Sequence, residues 1–211
     1  FNRDGYADAV LLTSGPGGSA RVAYGSEHGW IEPLVALSEL DGTFSVIVFD
    51  VDADGYDDLL APWHGLSWYR GGPQGLTAPQ IIPETEPDGR LYGVGDVDGD
   101  GYFDALAETQ DGTYDTSARS ALVRGGASGP SVGTWQALGP SPGLRQLIGT
   151  IGDINGDGRV DLLNQSHAVD PAVANHVILR TPTGYVPDDS VPLNLPCLAN
   201  PSGGRTIGDC N

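Results

Sequence analysis

The chain has no methionine and no lysine, so all ten of its basic side chains, in 211 residues, are arginines. Set against 28 acids they leave a formal net charge of −18. An excess of that size repels phosphates and excludes a nucleic-acid partner. No apolar run approaches the roughly 18–20 residues of a membrane-spanning helix, so membrane insertion is not expected. No charged-then-apolar segment opens the sequence, so any targeting peptide is expected to be gone already or to lie outside these residues. The two cysteines, Cys197 and Cys210, are too few for a structural zinc site. In an extracellular setting they are expected to form a disulfide; the alternative is two buried free thiols. The four histidines are His28, His64, His167 and His176. They form no His-Glu-x-x-His zinc motif, and no Gly-x-Ser-x-Gly nucleophile turn is present, so the chain is not expected to be an enzyme. No stretch carries a capped 3.6-residue apolar period of useful length, which leaves almost no helix.

What the sequence does contain is 32 glycines, 16 prolines and an internal repeat. Asp50-Val51-Asp52-Ala53-Asp54-Gly55-Tyr56-Asp57-Asp58 recurs as Asp96-Val97-Asp98-Gly99-Asp100-Gly101-Tyr102-Phe103-Asp104. It recurs again as Asp153-Ile154-Asn155-Gly156-Asp157-Gly158-Arg159-Val160-Asp161. The chain opens inside a further copy, residues 1–8, and a last one begins at Ile207-Gly208-Asp209. The final acid of each copy, at 8, 58, 104 and 161, returns after 50, 46 and 57 residues. That interval is too long for a solenoid coil and suits a four-stranded propeller blade.

Short apolar runs punctuated by Gly, Pro, Asn and Asp read as antiparallel strands. One leaves each acidic loop: Ala9–Leu12, Leu59–Ala61, Ala105–Ala107, Leu162–Leu163. A second ends in a Gly-rich turn, within 20–29, 67–75, 121–129 and 177–184. A third falls near 31–37, 78–82, 132–138 and 186–193. The fourth enters the next acidic loop: Phe44–Phe49, Leu91–Gly95, Gln146–Gly152 and Arg205–Gly208. The fold expected is an all-β propeller of four-stranded blades over residues 1–211. The terminal strand at 205–211 either closes a four-bladed ring onto the first blade, or the chain is part of a larger propeller.

The acidic loop has a specific use. Alternate side chains of a tightly curled loop converge on one point, and its glycine supplies the positive φ that brings the chain round. Hard oxygen donors at about 2.3–2.6 Å suit Ca²⁺, with three to four ions expected. The ligands are the side chains of the first, third, fifth and ninth loop residues and the carbonyl of the seventh. These are Asp50, Asp52, Asp54, Tyr56 and Asp58; Asp96, Asp98, Asp100, Tyr102 and Asp104; and Asp153, Asn155, Asp157, Arg159 and Asp161. The first copy retains Asn2, Asp4, Tyr6 and Asp8, and Asp209 would supply its missing acid if the ring closes. More than half of the 28 acids sit in these loops, where they repel one another unless a cation lies among them. An EF-hand shares the opening of the motif but needs a glutamate at loop position twelve, which here is Ala61, Ala107 and Asn164.

These residues resemble the FG-GAP (VCBS-like) repeats of integrin α-chain propellers, their bacterial relatives and certain propeller lectins. The likeness rests on the Φ-Gly-Asp lead-ins Val94-Gly95-Asp96, Ile151-Gly152-Asp153 and Ile207-Gly208-Asp209, on the acidic loops, and on the paired-glycine turns. The second copy departs, with Phe49 where the family prefers Gly, and Gly-Ala-Pro survives only as Ala61-Pro62. Family propellers commonly have seven blades. The resemblance implies a secreted or cell-surface, Ca²⁺-dependent binding module for a glycan or an extracellular protein.

In a propeller, calcium would rigidify one face and ligand contacts would fall on the other, in the variable loops Thr13–Ser19, Pro62–Gly65, Glu108–Arg119 and Asn164–Asn175. Candidate contacts there are Trp63, His64, Tyr114, Asp115, His167 and Asp170. Trp30, Trp68, Trp135 and most tyrosines are expected between blades. Two other functions compete: the propeller of a polysaccharide-active enzyme, or a structural segment that self-associates or joins further blades. Asn164-Gln165-Ser166 also fits a glycosylation acceptor.

Overall fold

The computed structural model describes residues 1–13, 17–43, 45–62, 65–82, 89–109, 120–133, 146–154, 156–158, 160–166, 175–181 and 184–193. They form four antiparallel sheets in chain order, each a meander. The first holds β1 (Ala9–Leu12), β2 (Ala20–Ala23) and β3 (Val35–Ala36). The second holds β4 (Ile47–Phe49), β5 (Asp58–Pro62), β6 (Leu66–Tyr69) and β7 (Gln80–Ile82). The third comprises β8 (Gly89–Gly95), β9 (Asp104–Thr109), β10 (Ser120–Arg124) and β11 (Ser131–Val132). The fourth comprises β12 (Gln146–Gly152), β13 (Asp161–Ser166), β14 (Asn175–Thr181) and β15 (Gly184–Leu193). The only helical turn among the described residues is a 3₁₀ turn at Ser38–Leu40. The strands read from the sequence fall on these elements, except the terminal one at 205–211, which lies outside the described residues together with its expected pairing to the first sheet.

Period-two alternation gives each inner sheet two apolar faces. In β5, Leu59 and Ala61 pack with Val22, Leu37, Leu40 and Phe1, toward the first sheet. Leu60 points the other way and joins Trp68, Leu91, Ala105 and Val123 between the second and third sheets. The third sheet repeats the pattern: Leu106 and Val94 turn away from that cluster and meet Leu162 of the fourth. β5 is therefore buried along its whole length. Successive sheets stack face to face, and each interface is a small separate core.

Two backbone hydrogen bonds stitch the stack at the acidic-loop end. Gly72 N–H donates to the carbonyl of Phe1 at 3.1 Å, and Gly126 N–H to that of Val51 at 3.0 Å. Phe1 and Val51 are the second residues of their loops, so each paired-glycine turn is tied to the acidic loop of the sheet before it. Aromatic rings from the earlier sheet fill the space beside the same turns. A Cβ on Gly75 would overlap the Tyr24 ring, and one on Gly129 would overlap Trp68.

The departure at Phe49 has a structural consequence. Gly95 and Gly152 adopt φ of +80° and +79° where the ladder slips past Gly93/Gly95 and Thr150/Gly152. In the second sheet Phe49 pairs directly with Asp58 in an unbroken register. Its ring instead stacks at 4.4 Å on Phe103 of the third sheet's loop. The sheet gives up a bulge and gains an aromatic contact between sheets.

Trp30 is not between sheets: it is 57 % exposed, and Ile31 beside it is also exposed. Val22, Tyr24 and Leu37 already fill the first sheet's inner face, and Trp30 lies beyond the end of β2, in the connection to β3. Trp68 is buried as expected, and Trp135 lies outside the described residues.

One buried carboxyl lies away from the acidic loops. Glu108 on β9 accepts a hydrogen bond from the Tyr92 hydroxyl at 3.0 Å, and Arg90 stands opposite it in the ladder. Burial pushes Glu108 up from 4.5 to about 7, against the opposing pull of Tyr92 and Arg90. Because folding raises this pKa, its stabilising contribution is complete below the unfolded value and is lost as pH rises through about 7. Glu108→Gln should remove that part of the pH slope, on the order of 2 kcal/mol between about pH 5 and 8. Melting curves across that range in chelator check it; an unchanged slope would refute the assignment.

Candidate metal centres

Each acidic loop joins the fourth strand of the repeat to the first strand of the next meander, and its backbone explains why it curls. The sixth residue is a left-handed glycine in every copy: Gly5, Gly55, Gly101 and Gly158, with φ between +83° and +96°. The fourth residue is left-handed too. Gly99 and Gly156 fill it in two copies, but Arg3 (φ +54°) and Ala53 (φ +56°) fill it in the others. A non-glycine residue there costs roughly 1 kcal/mol, so the first and second loops hold this shape against their own backbone preference.

The first aspartate of the loop caps the curl. Asp96 Oδ1 accepts from Gly99 N–H (2.7 Å) and Asp100 N–H (3.1 Å), while Oδ2 accepts from Gly101 N–H (2.9 Å). Asp153 receives the same three donors from Gly156, Asp157 and Gly158. Asp50 accepts from Asp54 and Gly55.

The ninth residue is a buried clamp. Asp58 is fully buried. Its Oδ1 accepts from Gly71 N–H at 2.6 Å, and its Oδ2 from Trp68 Nε1–H at 3.0 Å and Val51 N–H at 3.3 Å. Asp104 takes Val97 N–H and Gly125 N–H, Asp8 takes Asn2 N–H and Gly25 N–H, and Asp161 takes Ile154 N–H. One carboxylate thus ties the acidic loop to the paired-glycine turn. Burial pushes Asp58 up to about 6 despite the hydrogen bonds from Gly71 and Trp68, and Asp104 is raised by the same cause.

Two groups of three carboxylates converge. Asp50, Asp52 and Asp58 present oxygens all within 4.8 Å of one another, and so do Asp96, Asp98 and Asp104. Asp54 and Asp100, expected beside them, are not in these groups. Asp54 Oδ1 accepts from Tyr56 N–H at 2.9 Å, and Asp100 Oδ1 from Tyr102 N–H at 2.9 Å. The first copy holds no such trio: Asn2 Nδ2–H donates to Asp4 at 2.9 Å, Tyr6 N–H to Asp4 at 3.0 Å, and Asp8 lies 3.8 Å from the terminal ammonium. In the last copy Asp153, Asp157 and Asp161 are placed, whereas Asn155 and Arg159 lie outside the described residues.

The sequence reading missed two arginines. Arg70 Nε lies 2.7 Å from Asp52 Oδ2, and its Nη2 lies 2.8 Å from Asp54 Oδ2. Arg124 Nε lies 3.0 Å from Asp98 Oδ2. Both stand directly before the paired glycines, and that shared position was the available signal. Asp52 is nonetheless raised, by burial first and then by Asp54.

Trp63, His64, Tyr114, Asp115, His167, Asp170, Cys197, Cys210 and Asp209 all lie outside the described residues. Asn164 lies within β13, paired to both neighbouring strands rather than in a loop. No helix among the described residues is long and apolar enough to cross a membrane. No protein-family model matches the chain, and no curated protein matches it.

Proposed function

We propose that the chain is a calcium-binding β-propeller that acts, secreted or at a cell surface, as a recognition module for a glycan or an extracellular protein. The observation that carries this reading is the pair of three-carboxylate groups at equivalent places in two sheets. Oxygens around one ion at about 2.3–2.6 Å lie no more than about 5 Å apart, and both groups meet that limit. Carboxylates are the hard donors that Ca²⁺ takes, and three of them favour a divalent cation over water. Calcium there would supply charge neutralisation, not chemistry. Asp58 and Asp104 already spend most of their lone pairs on N–H donors, so each offers the ion a single further site. Four consecutive face-to-face meanders support the propeller arrangement.

The recognition surface is assigned to the opposite ends of the strands, where the connections after β1, β5, β9 and β13 differ most in length. Variable loops on a rigid frame are where specificity is usually built. Calcium acts on them indirectly, by stiffening the frame.

Calorimetric titration of the whole chain with calcium chloride should show binding that Asp50→Asn and Asp96→Asn each diminish. Calcium at tenfold its dissociation constant should add about 1.4 kcal/mol per site and raise the melting temperature by several degrees. Melting identical in calcium and in EDTA would sink the metal reading. Failure to retain any ligand on glycan arrays or in extracellular-protein pull-downs would sink the recognition reading.

A further inference from the structure

We propose that Arg70 and Arg124 are built-in counter-cations of the acidic loops, holding the carboxylates together before metal arrives and competing with it when it does. This rests on the reading that the two trios take calcium.

The two arginines occupy one position of the repeat and reach back across the sheet to the third aspartate of their own loop. Asp52 is one of the converging trio, and its side chain is almost wholly buried. Its Oδ2 is taken by Arg70 and its Oδ1 by Asp54 N–H at 3.3 Å. The guanidinium also grips Asp54, outside the trio. A cation drawing on Asp52, or recruiting Asp54, therefore has to displace the arginine. Arg70 is itself nearly half exposed, so its head can swing into water without a repacking cost.

The first sheet shows what happens where the charge is lower. Its loop carries Asn2 in place of an aspartate, and the side-chain amide of Asn2 bonds Asp4. The position before its glycine is Tyr24, whose hydroxyl is turned to the next sheet and accepts Leu76 N–H at 2.9 Å. An arginine is present at the two loops with converging trios and absent from the loop without one.

The grip is unequal. Arg70 holds two carboxylates and Arg124 holds one. Wild-type protein should therefore bind calcium more tightly at Asp96/Asp98/Asp104 than at Asp50/Asp52/Asp58.

The test is calcium titration and thermal melting of the full chain, comparing wild type with Arg70→Gln, Arg124→Gln and Arg21→Gln. The last removes an equal charge from the middle of β2. Arg70→Gln should melt several degrees lower than wild type in EDTA, regain most of that loss in saturating calcium, and tighten calcium binding at one site about tenfold. Arg124→Gln should shift the same quantities in the same direction by less, and Arg21→Gln should shift neither. Calcium affinity unchanged or weakened in Arg70→Gln, or an unchanged melting point in EDTA, would overturn the proposal. Wild type that binds no calcium would instead refute the metal reading beneath it.

Discussion

Asp58→Ala should destabilise the protein by about 3–6 kcal/mol in the absence of metal. The substitution removes the acceptor of three buried donors, Gly71 N–H, Trp68 Nε1–H and Val51 N–H. Each unsatisfied donor costs about 1–3 kcal/mol. Those donors come from the acidic loop, from β6 and from the glycine turn, so the loss is felt by the whole second sheet and by the Trp68 contact with the third. Denaturant unfolding in EDTA measures it. Asp54→Ala, one aspartate earlier in the alternation, is the control. It gives up an exposed pair with Arg70 and a turn hydrogen bond, for about 1 kcal/mol. Equal losses from the two variants would mean that Asp58 is an ordinary loop acid and not a clamp.

The second large effect is expected at Gly125. Its Cα faces two backbone carbonyls, those of Phe103 in its own loop and Val51 in the preceding sheet. A methyl group there overlaps both, and neither oxygen is the free end of a flexible side chain. The turn would have to lift away, breaking Gly125 N–H to Asp104 and Gly126 N–H to Val51 together. Gly125→Ala should therefore cost about 3 kcal/mol or more. Gly126→Ala should cost less than about 1 kcal/mol, because the nearest atom to its Cβ would be Gly129 O at 3.7 Å. Two adjacent glycines with opposite outcomes are a direct check on the stitched interface; similar stability for both variants would remove the second and third sheets from that contact.

Much of the fold was legible because its determinants are local. Strand ends are marked by residues that must take positive φ or cannot continue a ladder, and β1 runs over the span the punctuation indicates. The acidic loops were legible as a charge pattern, and the alternation of aspartates points half of them inward. That pattern cannot separate a carboxylate that holds metal from one that holds the backbone. Asp50, Asp54 and Asp58 look alike in the repeat. Only the neighbours supplied by β6 and its glycine turn make Asp58 a clamp, and only Arg70, 16 residues beyond Asp54, draws Asp54 away from the trio. Trp30 was misread because an aromatic at the end of a strand packs inward only if a neighbouring sheet leaves room for it.

From the chain alone come the all-β character, the four meanders, the curled acidic loops and the hard-oxygen chemistry, since each depends on residues within a dozen positions of one another. Tertiary structure alone decided which carboxylates converge, which are spent on N–H donors, and where the arginines land. Those outcomes depend on how one sheet's turn meets the next sheet's loop, and nothing in the local spacing of aspartates encodes that meeting.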